Sequence, residues 1–326
     1  MSIPPEEQFV DASLPGQSRR LKVILTLCGL GLLICMIVWI GPATIWGRLR
    51  FIRLPYLIGA MAAIVAGTVL SAINSYLICG ASRVMSFLQY LHAFWVAWAV
   101  GLVMPGQVGD MLTLTHVLRR RGMALSQSVA RTSVDKILSL LCALLVATQL
   151  FRLSNAVVLW TFSYGAAMML LGLLVFLALS LFLLHRLGQF AIRSRWIVGA
   201  VATAAEVVRM VIVHPWLILL NMVLSLVKIG LTGISYWLVI AGLTGVFSSL
   251  RNTTIAAISS GLIAYLPLSA NGIGTVEMAG TGLFGQIGLA ADVVLSMYVV
   301  LRLVNVLLAW IPSIFVLPDL LRHRKS

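Results

Sequence analysis

The chain alternates long apolar runs with short breaks that hold charged residues, glycine or proline. About 20 apolar residues in a helix cross a hydrocarbon core about 30 Å thick. After the polar start, the chain can supply about eight to ten spanning or half-spanning segments, so the pattern predicts an all-α, polytopic membrane helical bundle. The apolar runs are Val23–Ile40, Pro55–Cys79, Leu88–Met104, Ser126–Leu150, Ala156–Leu184, Pro215–Ala241, Thr253–Leu268, Ile273–Gly288 and Ala291–Leu317.

Two stretches of the chain are interrupted where a spanning helix would continue. Leu88–Met104 stops at Pro105-Gly106 and is followed by only a short amphipathic stretch, and Thr253–Leu268 is broken at Pro267 and resumes after Asn271-Gly272. Non-helical backbone at membrane depth is tolerated only where protein or a water-filled cavity covers it. We therefore predict two re-entrant helical hairpins. Their turn residues are Pro105, Gly106, Gly109, Pro267, Asn271, Gly272 and Gly274.

The two interrupted stretches belong to a pattern that occurs twice. Each hairpin leads to a glycine and then to a long helix with an internal cation: Lys136 lies fourteen residues after Gly122, and Arg302 fourteen residues after Gly288. The units cover about residues 88–150 and 253–317, and they are expected to enter the membrane from opposite faces. Such an inverted repeat indicates a transporter-like architecture with a site near the bilayer midplane.

The basic clusters indicate how the chain is oriented. We expect a cytoplasmic polar tail at 1–22, one transmembrane domain at 23–318 and a basic cytoplasmic tail at 319–326. Both termini are placed in the cytoplasm because the clusters at 119–121, 186–209 and 322–325 then share that side, whereas the one at 48–53 falls outside. The basic stretch before His214 is expected to form a helix on the membrane surface.

Composition supports this interpretation and excludes several classes of protein. Hydrophobic residues make up 61% of the chain and charged residues 10%, with a mean hydropathy of +1.05, which leaves no room for a soluble catalytic domain. The formal net charge is +14, but the basic residues lie between apolar runs, so anionic lipid headgroups are expected as partners rather than nucleic acid. The cysteines show no metal-ligand spacing, and we expect no metal, no cofactor and no enzymatic activity.

Two short motifs lack the context that would give them meaning. The sequence GTGLFG at 280–285 matches a dinucleotide fingerprint, but no strand precedes it. The sequence SVDK at 133–136 matches the first motif of acyl-enzymes, but its companion motifs are absent.

Charged residues inside the apolar segments are the candidate functional groups. A charge at the bilayer centre costs about 2.5–3.5 kcal/mol on insertion scales, so these residues must be paired or hydrated. Pairing alone could explain some of them, because Arg131 and Asp135 are four residues apart on one helix face. A functional cavity would explain the whole set. The intramembrane candidates are Asp110, Arg131, Asp135, Lys136, Glu277 and Arg302, with Lys228 as a weaker one.

Two motifs resemble those of the lysylphosphatidylglycerol synthase transmembrane-region family. The first comprises MPGQVGDML at 104–112, LRRRG at 118–122 and the acidic-basic pair before Ile137; the second is LPLSANGIGTVE at 266–277 followed by Arg302. Asp110, Lys136 and Asn271 depart from the family pattern of Glu, Arg and Gly. The resemblance implies a flippase-like membrane domain, without the aminoacyl-transferase domain, in the prokaryotic cytoplasmic (inner) membrane.

The resulting hypothesis is a lipid translocase with a charged groove at the midplane. Arg131, Lys136 and Arg302 would hold a phosphate, and Asp110 and Glu277 would hold a cationic headgroup or take part in ion coupling. Asp135 belongs to the same translocation site. The basic residues Arg119, Arg120 and Arg121 would gather anionic lipid.

The expected partner is an anionic or aminoacylated phospholipid or a polyprenyl-linked lipid, and a second copy of the chain, in a homodimer, is a further candidate partner. Three alternatives stay open: an ion-coupled carrier of a small metabolite, a membrane-embedded enzyme or accessory subunit of headgroup transfer, and a scaffold. The enzyme would need a nucleophile such as Ser133 or Ser269.

Overall fold

The computed structural model describes residues 34–35, 37–38, 41–104, 109–152, 203, 205–207, 209–210, 212–266, 269 and 271–322. Apart from the isolated short pieces, these residues form α-helices joined by short connections and 3-10 turns, and the described part of the chain contains no strand. The helices are α1 (Pro42–Arg50), α2 (Leu54–Cys79), α3 (Phe87–Gly101), α4 (Gly109–Arg120), α5 (Leu125–Ala147), α6 (Pro215–Thr244), α7 (Leu250–Gly261), α8 (Thr275–Gly285) and α9 (Ala291–Arg322).

Local sequence sets where several of these helices begin and end. Helix α3 opens with a capping box, in which the Ser86 hydroxyl accepts from the Gln89 amide and the Gln89 side chain accepts from the Ser86 amide. Helix α6 begins with Pro215 in its first turn and stops at Gly245, which adopts the left-handed conformation. Such ends satisfy backbone groups that the helix itself leaves without partners.

Four of the described helical segments are long and apolar enough to cross a membrane: 54–79, 125–150, 215–244 and 291–314. They correspond to four of the apolar runs in the sequence, so the prediction of an all-α polytopic bundle is confirmed. The predicted segments Val23–Ile40 and Ala156–Leu184 lie almost entirely outside the described residues, as does most of the expected surface helix before His214.

The interrupted stretches form pairs of short helices. Helix α3 has 15 residues and α4 has 12, and α7 and α8 have 12 and 11. At about 1.5 Å per residue none of these four exceeds about 23 Å, which is less than a bilayer core requires. Helix α3 packs on α4, and α7 packs on α8. Re-entry into the membrane and its direction remain predictions, and Pro105, Gly106 and Pro267 lie outside the described residues.

The apolar core consists mainly of two clusters, one for each repeated unit. One cluster joins α6, α7, α8 and α9 around the buried rings of Phe284 and Tyr298. The other joins α2, α3, α4 and α5 around Tyr90 and Leu118. The long helices α2 and α6 pack along each other and connect the two clusters. Polar side chains from the helices of both clusters line a common cavity.

Candidate functional site

A cavity of about 460 Å³ is lined by residues of both interrupted helix pairs. The end of α3 and the start of α4 contribute Gly101 and Asp110 to its wall, and the end of α7 and the turn before α8 contribute Gly261 and Asn271. The long helices supply the remaining polar and charged side chains. These are Thr68, Ser71, Asn74 and Ser75 from α2, Thr132, Asp135, Lys136 and Ser139 from α5, Lys228, Thr232, Ser235 and Tyr236 from α6, and Tyr298, Arg302 and Asn305 from α9.

The three cations in this cavity lie near the middle of their helices. Lys136 is eleven residues into the span 125–150, Arg302 is eleven residues into 291–314, and Lys228 is thirteen residues into 215–244. A helix advances about 1.5 Å per residue, so each cation is about 16–20 Å from the start of its span. The cavity therefore places polar chemistry at a depth where hydrocarbon would otherwise surround it.

The first ion pair of the cavity joins α4 to α5. The Lys136 ammonium lies 2.5 Å from Asp110 Oδ2, and both side chains remain about a quarter exposed. Asp110 is the second residue of α4, and its other carboxylate oxygen accepts from the Met111 backbone amide at 2.8 Å. A carboxylate in the first turn of a helix is also favoured by the helix dipole. The pair is thus held in place but open to the cavity.

The second ion pair joins α8 to α9. The Glu277 carboxylate accepts from Arg302 Nε, and its other oxygen accepts from the Gly274 backbone amide at 2.7 Å. Glu277 is fully buried, whereas the Arg302 side chain is 26% exposed and lines the cavity. Because Glu277 is screened from the cavity by its own partners, the group that a ligand meets at this pair is Arg302.

The two pairs occupy equivalent places in the repeated pattern. Lys136 and Arg302 are each the twelfth residue of a long helix, and their partners are the second residue of α4 and the third of α8. The acid precedes the base by 26 residues in the first unit and by 25 in the second. This correspondence supports a structural repeat, and the opposite membrane orientation of its two halves stays a prediction.

The turn before α8 requires glycine. Asn271, Gly272 and Gly274 have φ values of 45°, 69° and 80°, in the left-handed region that glycine adopts without cost. A Cβ atom on Gly272 would collide with the Val276 side chain and lie 3.0 Å from the Ala264 Cβ. This tight turn places the Gly274 amide where it can donate to Glu277. The glycines predicted for this turn therefore have a structural role.

We expect Gly272→Ala to lower the free energy of unfolding by about 1–3 kcal/mol, because it combines left-handed backbone with a steric collision. Gly282→Ala is the matched control, since Gly282 lies inside α8 with no atom within 4 Å of its added Cβ. The control should be neutral or stabilise by up to about 1 kcal/mol. Chemical unfolding in mixed micelles measures both, and equal values would show that the turn is not constrained.

Asp135 faces a polar cluster between α5, α2 and α6. The Asn221 side-chain amide donates to Asp135 Oδ1 at 2.7 Å. Asn74 donates to the Asn221 carbonyl and to the Ser225 hydroxyl, both at 3.2 Å. These contacts orient the carboxylate without neutralising it, because no basic nitrogen of the described residues lies within 4.0 Å of it.

Arg131 does not belong to the cavity. It is buried and donates to Glu206 Oε1 from two guanidinium nitrogens, at 2.8 and 3.1 Å, and to the Cys79 carbonyl at 3.3 Å. The suggested pairing of Arg131 with Asp135 is not formed. The structure therefore gives Arg131 a role in holding α5 to Glu206, outside the cavity, rather than the expected role of holding a phosphate in the groove. Glu206 lies in the basic stretch before His214 that was expected on the membrane surface, and nothing in the sequence indicated its pairing with Arg131, 75 residues away.

The remaining predicted residues are distributed more widely. Arg119, Arg120 and Arg121 lie at the C-terminal end of α4 and its connection to α5, outside the cavity wall, and Arg120 is exposed. Ser133 contacts the Met111 sulfur at 3.8 Å and Ser269 contacts Thr275 Oγ1 at 3.4 Å, and neither lines the cavity. The described residues contain no group of three His, Cys, Asp or Glu side chains that could hold a metal ion.

The fold and the cavity define a multi-pass α-helical membrane protein with a charged cavity at mid-depth in its spanning helices. The model of the family described as the lysylphosphatidylglycerol synthase TM region matches residues 24–313, and the chain belongs to that family. The resemblance that the two motifs indicated is thereby confirmed. A comparison with curated proteins found no match to the chain.

Proposed function

We propose that the protein is a lipid translocase, which moves the headgroup of a phospholipid or polyprenyl-linked lipid through the charged cavity while the acyl chains stay in the bilayer. The observation that carries this proposal is the meeting of both interrupted helix pairs at one cavity with charged walls. Intramembrane charge is costly, and its concentration around an accessible space indicates a polar ligand that must pass that depth.

The wall of the cavity also includes apolar side chains on the outer surface of the bundle. Val306 lines the cavity and is 46% exposed, and its neighbours on α9, Leu303 and Leu307, are also exposed. On α6, Lys228 lines the cavity next to the exposed Val227. Polar groups next to a lipid-facing apolar rim fit an amphiphilic ligand, because its headgroup can contact the polar wall while its acyl chains contact the rim.

The principal alternative is an ion-coupled carrier of a small soluble metabolite. Such a carrier would enclose its substrate behind a closed wall, whereas the exposed apolar rim favours lateral entry from the bilayer. A second alternative is a membrane-embedded enzyme of headgroup transfer or its accessory subunit. Neither Ser133 nor Ser269 lines the cavity, so the nucleophile of such an enzyme would have to be another hydroxyl of the wall, such as that of Ser139.

We further propose that the protein resides in a prokaryotic cytoplasmic membrane with both termini in the cytoplasm. The basic residues at 119–121 would then collect anionic lipid at the cytoplasmic surface. In the variants Arg50→Cys and Arg120→Cys, the introduced thiols should be labelled by a membrane-impermeant reagent from opposite sides of sealed vesicles.

The proposal is tested by reconstituting the purified chain into sealed vesicles of defined lipid composition. Fluorescent lipids with different headgroups are incorporated, and a membrane-impermeant quencher reports how fast each reaches the outer leaflet. We expect movement of at least one lipid well above the rate in protein-free vesicles. A parallel set of vesicles with trapped soluble solutes tests the carrier, and solute release without lipid movement would overturn the proposal.

A further inference from the structure

One acid and one base in the cavity have no ionic partner among the described residues. Asp110 is paired with Lys136, and Glu277 is paired with Arg302. Asp135 and Lys228 also line the cavity, yet neither has an opposite charge within 4.0 Å in the described part of the chain. The residual unpaired charges of the site are therefore one carboxylate and one ammonium.

Lys228 has the position of a binding group rather than of a structural one. It is exposed within the cavity wall of α6, near the middle of a 30-residue helix. It interacts electrostatically with Asp135 and Asp110, but also with the like charge of Lys136. An ammonium left without an ion pair at this depth is expensive, and its side chain has room to receive an anion.

Asp135 has the complementary position on α5. Asn221 holds one of its oxygens, and the carboxylate is only partly buried and lines the cavity. Its electrostatic neighbours include both Lys136 and Lys228. Since Lys136 is already held by Asp110, Asp135 is the acid best able to receive a cation from a ligand.

The sum of charges around the cavity points to a ligand without net charge. Asp110, Asp135 and Glu277 balance Lys136, Lys228 and Arg302, three against three. An anionic headgroup would leave this site with an excess negative charge, whereas a headgroup that carries both signs would preserve the balance. In a site of low dielectric constant, a fixed ammonium strongly attracts an anionic group of the ligand, and a fixed carboxylate strongly attracts a cationic one.

We propose that Lys228 binds the phosphate of a zwitterionic phospholipid headgroup and that Asp135 binds its ammonium group. This inference rests on the proposed lipid translocation and specifies its substrate class. Lys136 and Arg302, which were expected to hold the phosphate, instead fix the cavity wall through their carboxylate partners.

The test measures binding of short-chain phospholipids to the detergent-solubilised full chain by calorimetry. The probes are a dihexanoyl phosphatidylethanolamine, which carries both charges, and a dihexanoyl phosphatidylglycerol, which carries only the negative one. We expect the zwitterionic lipid to bind about tenfold more tightly. Lys228→Met should weaken binding of both lipids by at least about tenfold, and Lys228→Arg should retain it.

Asp135→Asn separates recognition of the two charges. This variant should lose affinity for the zwitterionic lipid only, so that the preference between the two lipids disappears. The proposal would be overturned if Lys228→Met bound both lipids with the affinity of the wild type. It would also be overturned if Asp135→Asn lost affinity for the two lipids equally. Melting temperatures of the variants verify that each is folded.

Glycerophosphoethanolamine, the same headgroup without acyl chains, distinguishes this inference from the proposed function. If both compounds bind with the same dependence on Lys228 and Asp135, but reconstituted vesicles release the soluble compound and move no lipid, the charge assignment holds and lipid translocation fails. If only the lipid binds, with the same dependence, both hold.

Discussion

Arg131→Met is expected to lower the free energy of unfolding by about 3–5 kcal/mol. The substitution leaves the Glu206 carboxylate buried without its partner, and an uncompensated buried charge is among the most destabilising of single changes. Both side chains of this pair are at most 10% exposed, so water cannot replace the lost contact. Unfolding by denaturant in mixed micelles measures the change.

Arg48→Met provides the matched control for this prediction. Arg48 pairs with Asp292 at 2.9 Å, but its side chain is 42% exposed, so the loss should stay within about 1 kcal/mol. Folded Arg131→Met protein should still move lipid at the normal rate per molecule, because Arg131 does not line the cavity. A stability loss no larger than that of Arg48→Met would contradict the assignment of Arg131 as a structural anchor.

Glu277→Gln is expected to abolish lipid movement or to reduce it at least about tenfold. Glutamine keeps the shape of the side chain and can still accept from the Gly274 amide, but it no longer neutralises Arg302. Arg302 then becomes a second unpaired cation in the cavity, which disturbs the charge balance and the position of the wall. A stability loss of about 3 kcal/mol accompanies the change. Headgroup movement in reconstituted vesicles is the measurement.

A double variant separates the effect of Glu277→Gln on folding from its effect on transport. Combining it with Arg302→Gln removes both charges and should recover most of the lost stability, since no unpaired ion remains. Transport should stay low, because Arg302, the group of this pair that a ligand meets, is absent from the cavity wall. Recovery of transport together with stability would show that this pair serves folding alone.

The long apolar segments and the interrupted ones could be predicted from sequence because their causes are local. A run such as Pro55–Cys79 needs only length and hydropathy to become α2, and the turn at Asn271 and Gly272 shows its glycine requirement in the residues themselves. Lys136 and Arg302 could likewise be identified as candidates from the sequence alone, because a charge within an apolar run is costly wherever its partner lies.

The partners of these charges could not be obtained in the same way. Arg131 and Asp135 share a helix face, yet Arg131 pairs with Glu206, 75 residues away, and Asp135 receives a hydrogen bond from Asn221, 86 residues away. Such contacts depend on how helices pack, which local spacing does not encode. Lys228 was ranked as a weaker candidate for the same reason. Only the packed structure shows that it lines the cavity and has no carboxylate within 4.0 Å among the described residues.

The most direct test of the central claim is to block the cavity and measure lipid movement. A variant without native cysteines carries Asn305→Cys, which lines the cavity, or Leu303→Cys, which is exposed on the same helix outside it. Each is reconstituted and treated with a bulky methanethiosulfonate reagent, which reacts with thiols in contact with water. We predict that Asn305→Cys is labelled and its lipid movement falls to the protein-free rate, while Leu303→Cys keeps its rate. Full labelling of Asn305→Cys with no loss of lipid movement would contradict passage of the headgroup through this cavity.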